Sequence, residues 1–186
     1  GIKRGEFHVE YQPVIDAQTG QPYGVEALMR WTHPSEGRIP PDAFISYAEG
    51  QNLIVPLTRH LFELIARDAA TLRHTLPAGS RLGVNLSPLH LSHPTFRHDV
   101  SRWLAAMPQG HFVPIFEITE RAMMSGREAD DNFDGIRQQQ AVAGQRLHIA
   151  DDKPAGTHAA DHIRVRTRPR HRHALFDQVH RDSQKD

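Results

Sequence analysis

From residue 7 to residue 152, strand-like runs alternate with stretches whose apolar residues recur at helical spacing; past residue 152 the alternation stops. Residues 7–14 read as a strand closed by a turn over 16–20, and 24–31 as a second strand. Pro41-Asp42-Ala43-Phe44 opens a short helix, because proline suits a first helical turn. Pro56 opens a longer one, in which Leu57, Leu61, Leu64, Ile65, Ala69 and Leu72 share one face. A third strand spans 81–86 and ends at Ser87-Pro88. Residues 96–107 are helical, with Val100, Trp103 and Leu104 on one side. A fourth strand over 113–119, a helix over 127–143 and a fifth strand over 147–150 complete the series. This rhythm predicts an α/β fold whose parallel strands are joined by crossover helices.

The second strand, Gly24-Val25-Glu26-Ala27-Leu28-Met29-Arg30-Trp31, carries the clearest hint of a site. Side chains alternate along a strand, so Val25, Ala27, Met29 and Trp31 share one face, and Glu26, Leu28 and Arg30 the other. One face suits a core and the other a polar site. The plain alternative is an intrastrand ion pair between Glu26 and Arg30.

Composition narrows the chemistry. Lys plus Arg and Asp plus Glu both number 22, so no net field draws the chain to a nucleic-acid polymer or an anionic membrane. With no cysteine, disulfides, thiolate metal sites and thiol nucleophiles are excluded. No apolar run approaches the roughly 20 residues of a membrane span, and no secretory signal is present. Direct membrane contact is therefore not expected, and a cytoplasmic domain is. A first residue Gly1 rather than Met suggests a piece of a longer polypeptide, whose remainder could carry a membrane anchor.

Oxygen-bearing side chains sit on or at the ends of four strands: Glu26, Asn85, Glu117 and the pair Asp151-Asp152. Parallel α/β folds gather their sites at the carboxyl ends of strands. Carboxylates with one carboxamide form a hard-oxygen set suited to Mg²⁺, Mn²⁺ or Ca²⁺. Taken alone, Asn85 reads better as a cap on the following turn, and Asp151 and Asp152 also read as turn residues. Glu117 shares its strand face with Ile115 and Thr119, an awkward place for an acid without a cation. Glu120, on the opposite face, reads as the start of a helix or as a residue supporting the site.

These residues fall in motifs that resemble the EAL domain family, which hydrolyses the bacterial second messenger cyclic di-GMP. In order they are Tyr11-Gln12-Pro13, the strand containing Glu26-Ala27-Leu28, the run from Pro41 to Ile45 with Ala48-Glu49, Asn85-Leu86-Ser87, Glu117-Ile118-Thr119-Glu120 and Asp151-Asp152. The resemblance implies a TIM-type barrel with one strand running against the others. It implies Glu26, Asn85, Glu117 and Asp151 as ligands of a first metal, with Asp152 helping to hold a second, the ions being Mg²⁺ or Mn²⁺. Glu26 and Asp152 are thereby the expected catalytic residues. Arg30 would grip a substrate phosphate, Leu28 would pack on the ligand and Gln12 would contact a guanine. A homodimer is compatible with this picture. The wording around Gly5-Glu6-Phe7, Met29-Arg30-Trp31 and Pro56-Leu57-Thr58-Arg59 resembles the subgroup that follows a periplasmic sensor in the inner membrane.

Past the paired Asp the family continues with Phe-Gly-Thr-Gly, whereas this chain has Lys153-Pro154-Ala155-Gly156-Thr157-His158. The family's later Lys-Ile-Asp strand, second Glu ligand and terminal Gln have no counterpart. A complete barrel takes about 250 residues, so an incomplete one is expected, with about five of the eight strands. Residues 1–152 form the partial domain. Residues 153–186 are rich in Arg and His and read as a disordered tail, either a flexible basic segment or the product of a shifted reading frame. The 14 histidines include five in that tail, at irregular spacing among arginines that would repel a cation. The run from Arg166 to Arg172 lacks the aromatic interleaving of a nucleic-acid site. The expectation is a cyclic di-GMP phosphodiesterase domain with impaired hydrolysis. A non-catalytic receptor or protein-interaction module is the alternative.

Overall fold

Burial on one side only organises the sheet. In the computed structural model, which describes residues 1–16, 19–118 and 148–151 (the backbone alone for 118 and 148–151), the strands are β1 (Phe7–Ile15), β2 (Pro22–His33), β3 (Gly37–Ile39), β4 (Ser80–Leu86), β5 (Phe112–Ile118) and β6 (His148–Asp151). The helices are α1 (Pro41–Gly50), α2 (Ile54–Leu72), the single turn α3 (Pro88–Leu91) and α4 (Phe96–Ala106). The strand order is β1-β2-β4-β5-β6, with β3 paired to β2. From β2 onward the neighbours β2-β4, β4-β5 and β5-β6 are parallel, while β1 and β3 run antiparallel to β2. The turn after β1 is too short for a crossover, which forces the antiparallel pairing. Asp16 organises it, taking the Thr19 N–H on its carboxylate and the Gly20 N–H on its carbonyl.

The expected helix faces are the buried ones. Leu57, Leu61, Leu64, Ile65, Ala69 and Leu72 of α2 are all buried, as are Val100, Trp103 and Leu104 of α4. They meet the alternate residues Val9 and Tyr11 of β1, Val25, Ala27 and Met29 of β2, Leu82, Val84 and Leu86 of β4, and Phe112 and Phe116 of β5. At the centre Phe62 stacks on Trp103 with ring centroids 4.7 Å apart, and Trp103 lies 5.8 Å from Phe116. Burying side chains of this size contributes roughly 1.5–3 kcal/mol each. Among the described residues, no helix is long and apolar enough to cross a membrane.

A polar knot ties α2, α3 and α4 together. Arg59 donates from Nε to Asp99 Oδ1 at 2.9 Å and from Nη2 to Thr95 Oγ1 at 2.7 Å, while Thr95 Oγ1 donates to Asp99 Oδ2 at 2.8 Å. His90 Nε2 lies 3.1 Å from the same Asp99 oxygen and its side chain is wholly buried. Burial alone would raise the Asp99 carboxyl, but hydrogen bonds from Arg59, Thr95 and His90 hold it below the usual carboxylate range. For His90, burial prevails over Asp99 and pushes the imidazole below its ordinary value.

All five expected strands form, and two short elements join them. β3 is a three-residue strand, too short to show alternation, returning from β2 through a tight turn that places Gly37 at φ 69°. α3 is a single turn capped by Ser87, whose Oγ accepts the Leu89 N–H at 3.2 Å. The long helix begins at Ile54, ahead of Pro56, because a first-turn N–H has no intrahelical acceptor and proline is tolerated there. The expected helix over 127–143 and the tail over 153–186 lie outside the described residues.

Two outcomes follow from these contacts. Asp99→Ala strands His90 and Arg59, and is expected to cost about 3 kcal/mol in urea unfolding. Before β1, Glu6 accepts from Arg4 Nε and from Trp31 Nε1 at 2.8 Å, and these donors lower its carboxyl to about 2. A carboxyl lowered in the folded state stabilises above its unfolded value, and that stability is lost as pH falls from about 4.5 toward 2. Thermal melts across that window should therefore fall less steeply for Glu6→Gln than for the wild type.

Candidate active site

The face of the sheet opposite the helices carries the candidate site. On β2, Glu26, Leu28 and Arg30 lie on it and are partly buried, while Val25, Ala27 and Met29 are buried on the other. Glu26 does not end its strand. β2 runs on to His33, but its parallel pairing with β4 covers only Gly24 to Ala27, so Glu26 stands near the carboxyl end of that paired stretch. Asn85 and Glu117 are the penultimate residues of β4 and β5 and stand directly opposite each other.

Three of the expected ligands converge over a single glycine. Gly83 is paired with Glu26 in the sheet. A Cβ added to Gly83 would stand 2.9 Å from Glu117 Oε1 and 3.6 Å from Glu26 Cα, so the Glu117 carboxylate leans across the space that glycine leaves. Asn85 Nδ2 donates to Glu26 Oε1 at 2.7 Å. The turn-cap role that Asn85 could have played belongs to Ser87 instead, which caps α3 and also donates to Glu49 Oε1 of α1 at 2.7 Å. That second bond anchors the strand end bearing Asn85 to the helix layer.

The residues expected on the substrate side, Gln12, Leu28 and Arg30, occupy the same face. Gln12 of β1 is directly opposite Glu26, and Glu10 is opposite Leu28. Arg30 donates from Nε to Glu10 Oε2 at 2.8 Å and from Nη1 to the Met29 carbonyl at 3.1 Å. Its ion pair thus crosses from β2 to β1. Arg38 of β3 donates from Nη2 to the other Glu10 oxygen at 2.6 Å. Burial by itself would raise the Glu10 carboxyl, but Arg30 and then Arg38 hold it below the usual carboxylate range.

Asp151 lies at the end of β6, paired with Ile118, one position beyond the pairing of Glu117 with Ala150. Asp152 and Glu120 lie outside the described residues. Among the described residues, no three carboxylates or histidines stand together where they could hold an ion. What the fold assembles there is two carboxylates and a carboxamide at one glycine. Their oxygens match the hard-donor chemistry of a divalent cation of the Mg²⁺ or Mn²⁺ type.

Sequence reasoning missed Gly83 and Glu10. A glycine inside a strand is a signal of close approach and could have been read as one. Glu10 shares a face with Gln12 by simple alternation, but its pairing with Arg30 and Arg38 depends on the register of three strands.

Comparison with known proteins identifies the family and the fold. Over 132 residues the chain is 52% identical to the probable cyclic di-GMP phosphodiesterase PdeN of Escherichia coli (strain K12), covering 71% of this chain and 26% of that protein. Over 138 residues it is 35% identical to the cyclic di-GMP phosphodiesterase PdeL of the same organism, covering 74% of this chain and 38% of PdeL. The chain therefore spans between a quarter and two fifths of these relatives. Among solved structures, the PaMucR phosphodiesterase in complex with c-di-GMP superposes with a TM-score of 0.65 at 30% identity, over 84% of this chain and 62% of that one. The EAL domain of FimX from Pseudomonas aeruginosa, bound to c-di-GMP, shares the fold with a TM-score of 0.59 at 23% identity, over 80% of this chain and 58% of that one. The described sheet is an incomplete portion of the TIM-type barrel of these domains. The family model for the EAL domain matches residues 1–150, and the chain belongs to that family.

Proposed function

We propose that this chain carries the first part of a cyclic di-GMP phosphodiesterase site and engages the dinucleotide together with divalent cations. The observation that carries the reading is the convergence of Glu26, Asn85 and Glu117 over Gly83, at the carboxyl side of three adjacent parallel strands. In this reading Glu26, Asn85, Glu117 and Asp151 hold a first Mg²⁺ or Mn²⁺, and Asp152 helps to hold a second. Asn85 would turn its Oδ1 to the ion, and its bond to Glu26 already brings the amide beside the carboxylate. Bound in pairs, such ions orient and acidify a water and offset charge on phosphoryl oxygens.

The chain's own residues orient the ligand. Arg30 takes a phosphate, Leu28 packs on the ligand between Glu26 and Arg30, and Gln12 reaches a guanine from the neighbouring strand. Glu26 and Asp152 are the catalytic pair of this reading. In this reading residues 1–152 form the domain, which acts in the cytoplasm. Because Lys153-Pro154-Ala155-Gly156-Thr157-His158 replaces the family's Phe-Gly-Thr-Gly and the sequence over 153–186 holds no Lys-Ile-Asp motif, hydrolysis by these 186 residues is impaired.

A second reading, a receptor that binds without cleaving, is favoured by the placement of Gln12, Leu28 and Arg30 on one continuous face. Calorimetry with cyclic di-GMP in Ca²⁺, paired with a product assay in Mg²⁺ and Mn²⁺, separates the outcomes. Metal-dependent binding with little linear dinucleotide formed is expected. Rapid turnover would overturn the impairment, and absence of binding in every cation would overturn the ligand assignment.

Gly83→Ala tests the ion site separately. Its methyl group would force Glu117 aside, since the contact of 2.9 Å is shorter than a Cβ tolerates. Mn²⁺ affinity read by electron paramagnetic resonance is expected to weaken about tenfold, the loss of one charged contact. Unchanged affinity in a folded variant would remove Glu117 from the ligand set.

A further inference from the structure

Glu10 belongs to none of the expected site residues, yet it holds two arginines at once. Its Oε2 accepts from Arg30 Nε at 2.8 Å and its Oε1 accepts from Arg38 Nη2 at 2.6 Å. Arg30 sits opposite His8 and Arg38 opposite Thr32, and by alternation both positions lie on the face that carries Glu26. The Arg30 side chain is 16% exposed, so its guanidinium is largely fixed by its neighbours, and its Nη1 is spent on the Met29 carbonyl. Arg38 is 54% exposed at the outer side of the group. One carboxylate between two guanidinium groups leaves a surplus of one positive charge.

We infer that Glu10 is a positioning residue, which clamps Arg30 and Arg38 into a preset cationic cleft for a phosphodiester. The identity of that phosphodiester, a cyclic dinucleotide, rests on the functional reading above. With Nε on Glu10 and Nη1 on the Met29 carbonyl, Arg30 turns its Nη2 side to a ligand, and holding the guanidinium beforehand removes rotamer freedom that binding would otherwise have to freeze. Arg38 adds a second cation at the same carboxylate, on a strand contributed by the β2–β3 hairpin.

Two simpler roles make different forecasts. If Glu10 only neutralised charge, its removal would strengthen anion binding. If it only joined β1, β2 and β3, its removal would lower the melting temperature without a specific effect on phosphate ligands. Under the positioning role, Glu10→Ala weakens binding even though it removes a negative charge beside an anion.

The test uses the full chain and its Glu10→Ala, Glu10→Gln and Arg38→Ala variants. Cyclic di-GMP is titrated by calorimetry in Ca²⁺. Dimethyl phosphate is titrated while the Arg30 Nε–Hε resonance is followed by NMR. Glu10→Ala is expected to lose about tenfold in affinity for cyclic di-GMP. Glu10→Gln, which keeps the shape and one acceptor, provides a milder variant if the alanine does not fold. Both should abolish the response of the Arg30 resonance to dimethyl phosphate, and Arg38→Ala should weaken it. Equal or tighter binding in folded Glu10 variants, or an unchanged Arg30 response, would overturn the inference. If the wild type ignores cyclic di-GMP yet shows a Glu10-dependent response to dimethyl phosphate, the cleft stands and the dinucleotide assignment falls.

Discussion

The candidate site depends on keeping the two faces of one mixed sheet chemically distinct. On one face the helices α1, α2 and α4 bury Val25, Ala27, Met29, Leu82, Val84 and Phe116. Because apolar surface is satisfied there, the opposite face can carry Glu26, Asn85 and Glu117 without being drawn into the core. A register slip of one residue would exchange the faces and send the acids into hydrocarbon. The hydrophobic pattern that builds the core thus also aims the acids.

Register determines which acids meet. Pairing Gly83 with Glu26, and Asn85 with Glu117, puts a residue without a side chain between two carboxylates. Glycine weakens a strand, since it adds no packing and costs backbone entropy. Here the space it leaves is filled by the Glu117 carboxylate, which explains its place in an otherwise well-packed strand. Support comes from both ends: Ser87 bonds Glu49 of α1, and the Asp99 knot secures α3 and α4 against α2. Within that knot Arg59, Thr95, Asp99 and His90 Nε2 are paired with one another, while His90 Nδ1 is buried without a partner, so the knot anchors the turn following Asn85 at the desolvation cost of one ring nitrogen.

The same logic runs along β1. Tyr11 faces the helices and donates to Asp68 of α2 at 3.0 Å, while its neighbours Glu10 and Gln12 face the site. A single strand therefore braces the sheet against α2 with one side and lends Glu10 and Gln12 to the candidate site with the other. Its antiparallel direction follows from the short turn at Asp16, and it sets Gln12 opposite Glu26.

Much was legible in the chain as written. Alternation in residues 24–31 assigned the buried and polar faces of β2 correctly, and the helical spacing of Leu57, Leu61, Leu64 and Ile65 marked the face that α2 buries. These are short-range periodicities, set by backbone geometry, and they survive folding unchanged. β3 and α3 were not legible, because three or four residues are too few to display a period. Read alone, Asn85 looked like a turn cap. Only the tertiary structure handed that task to Ser87 and brought the amide to Glu26. The pairing of Glu10 with two arginines and the approach of Glu117 to Gly83 likewise belong to the tertiary structure. They join residues far apart along the chain, and nothing local specifies which strand lies beside which or in what register. The sequence by itself determined the residue types and the face each would occupy; the sheet's register decided which of them touch.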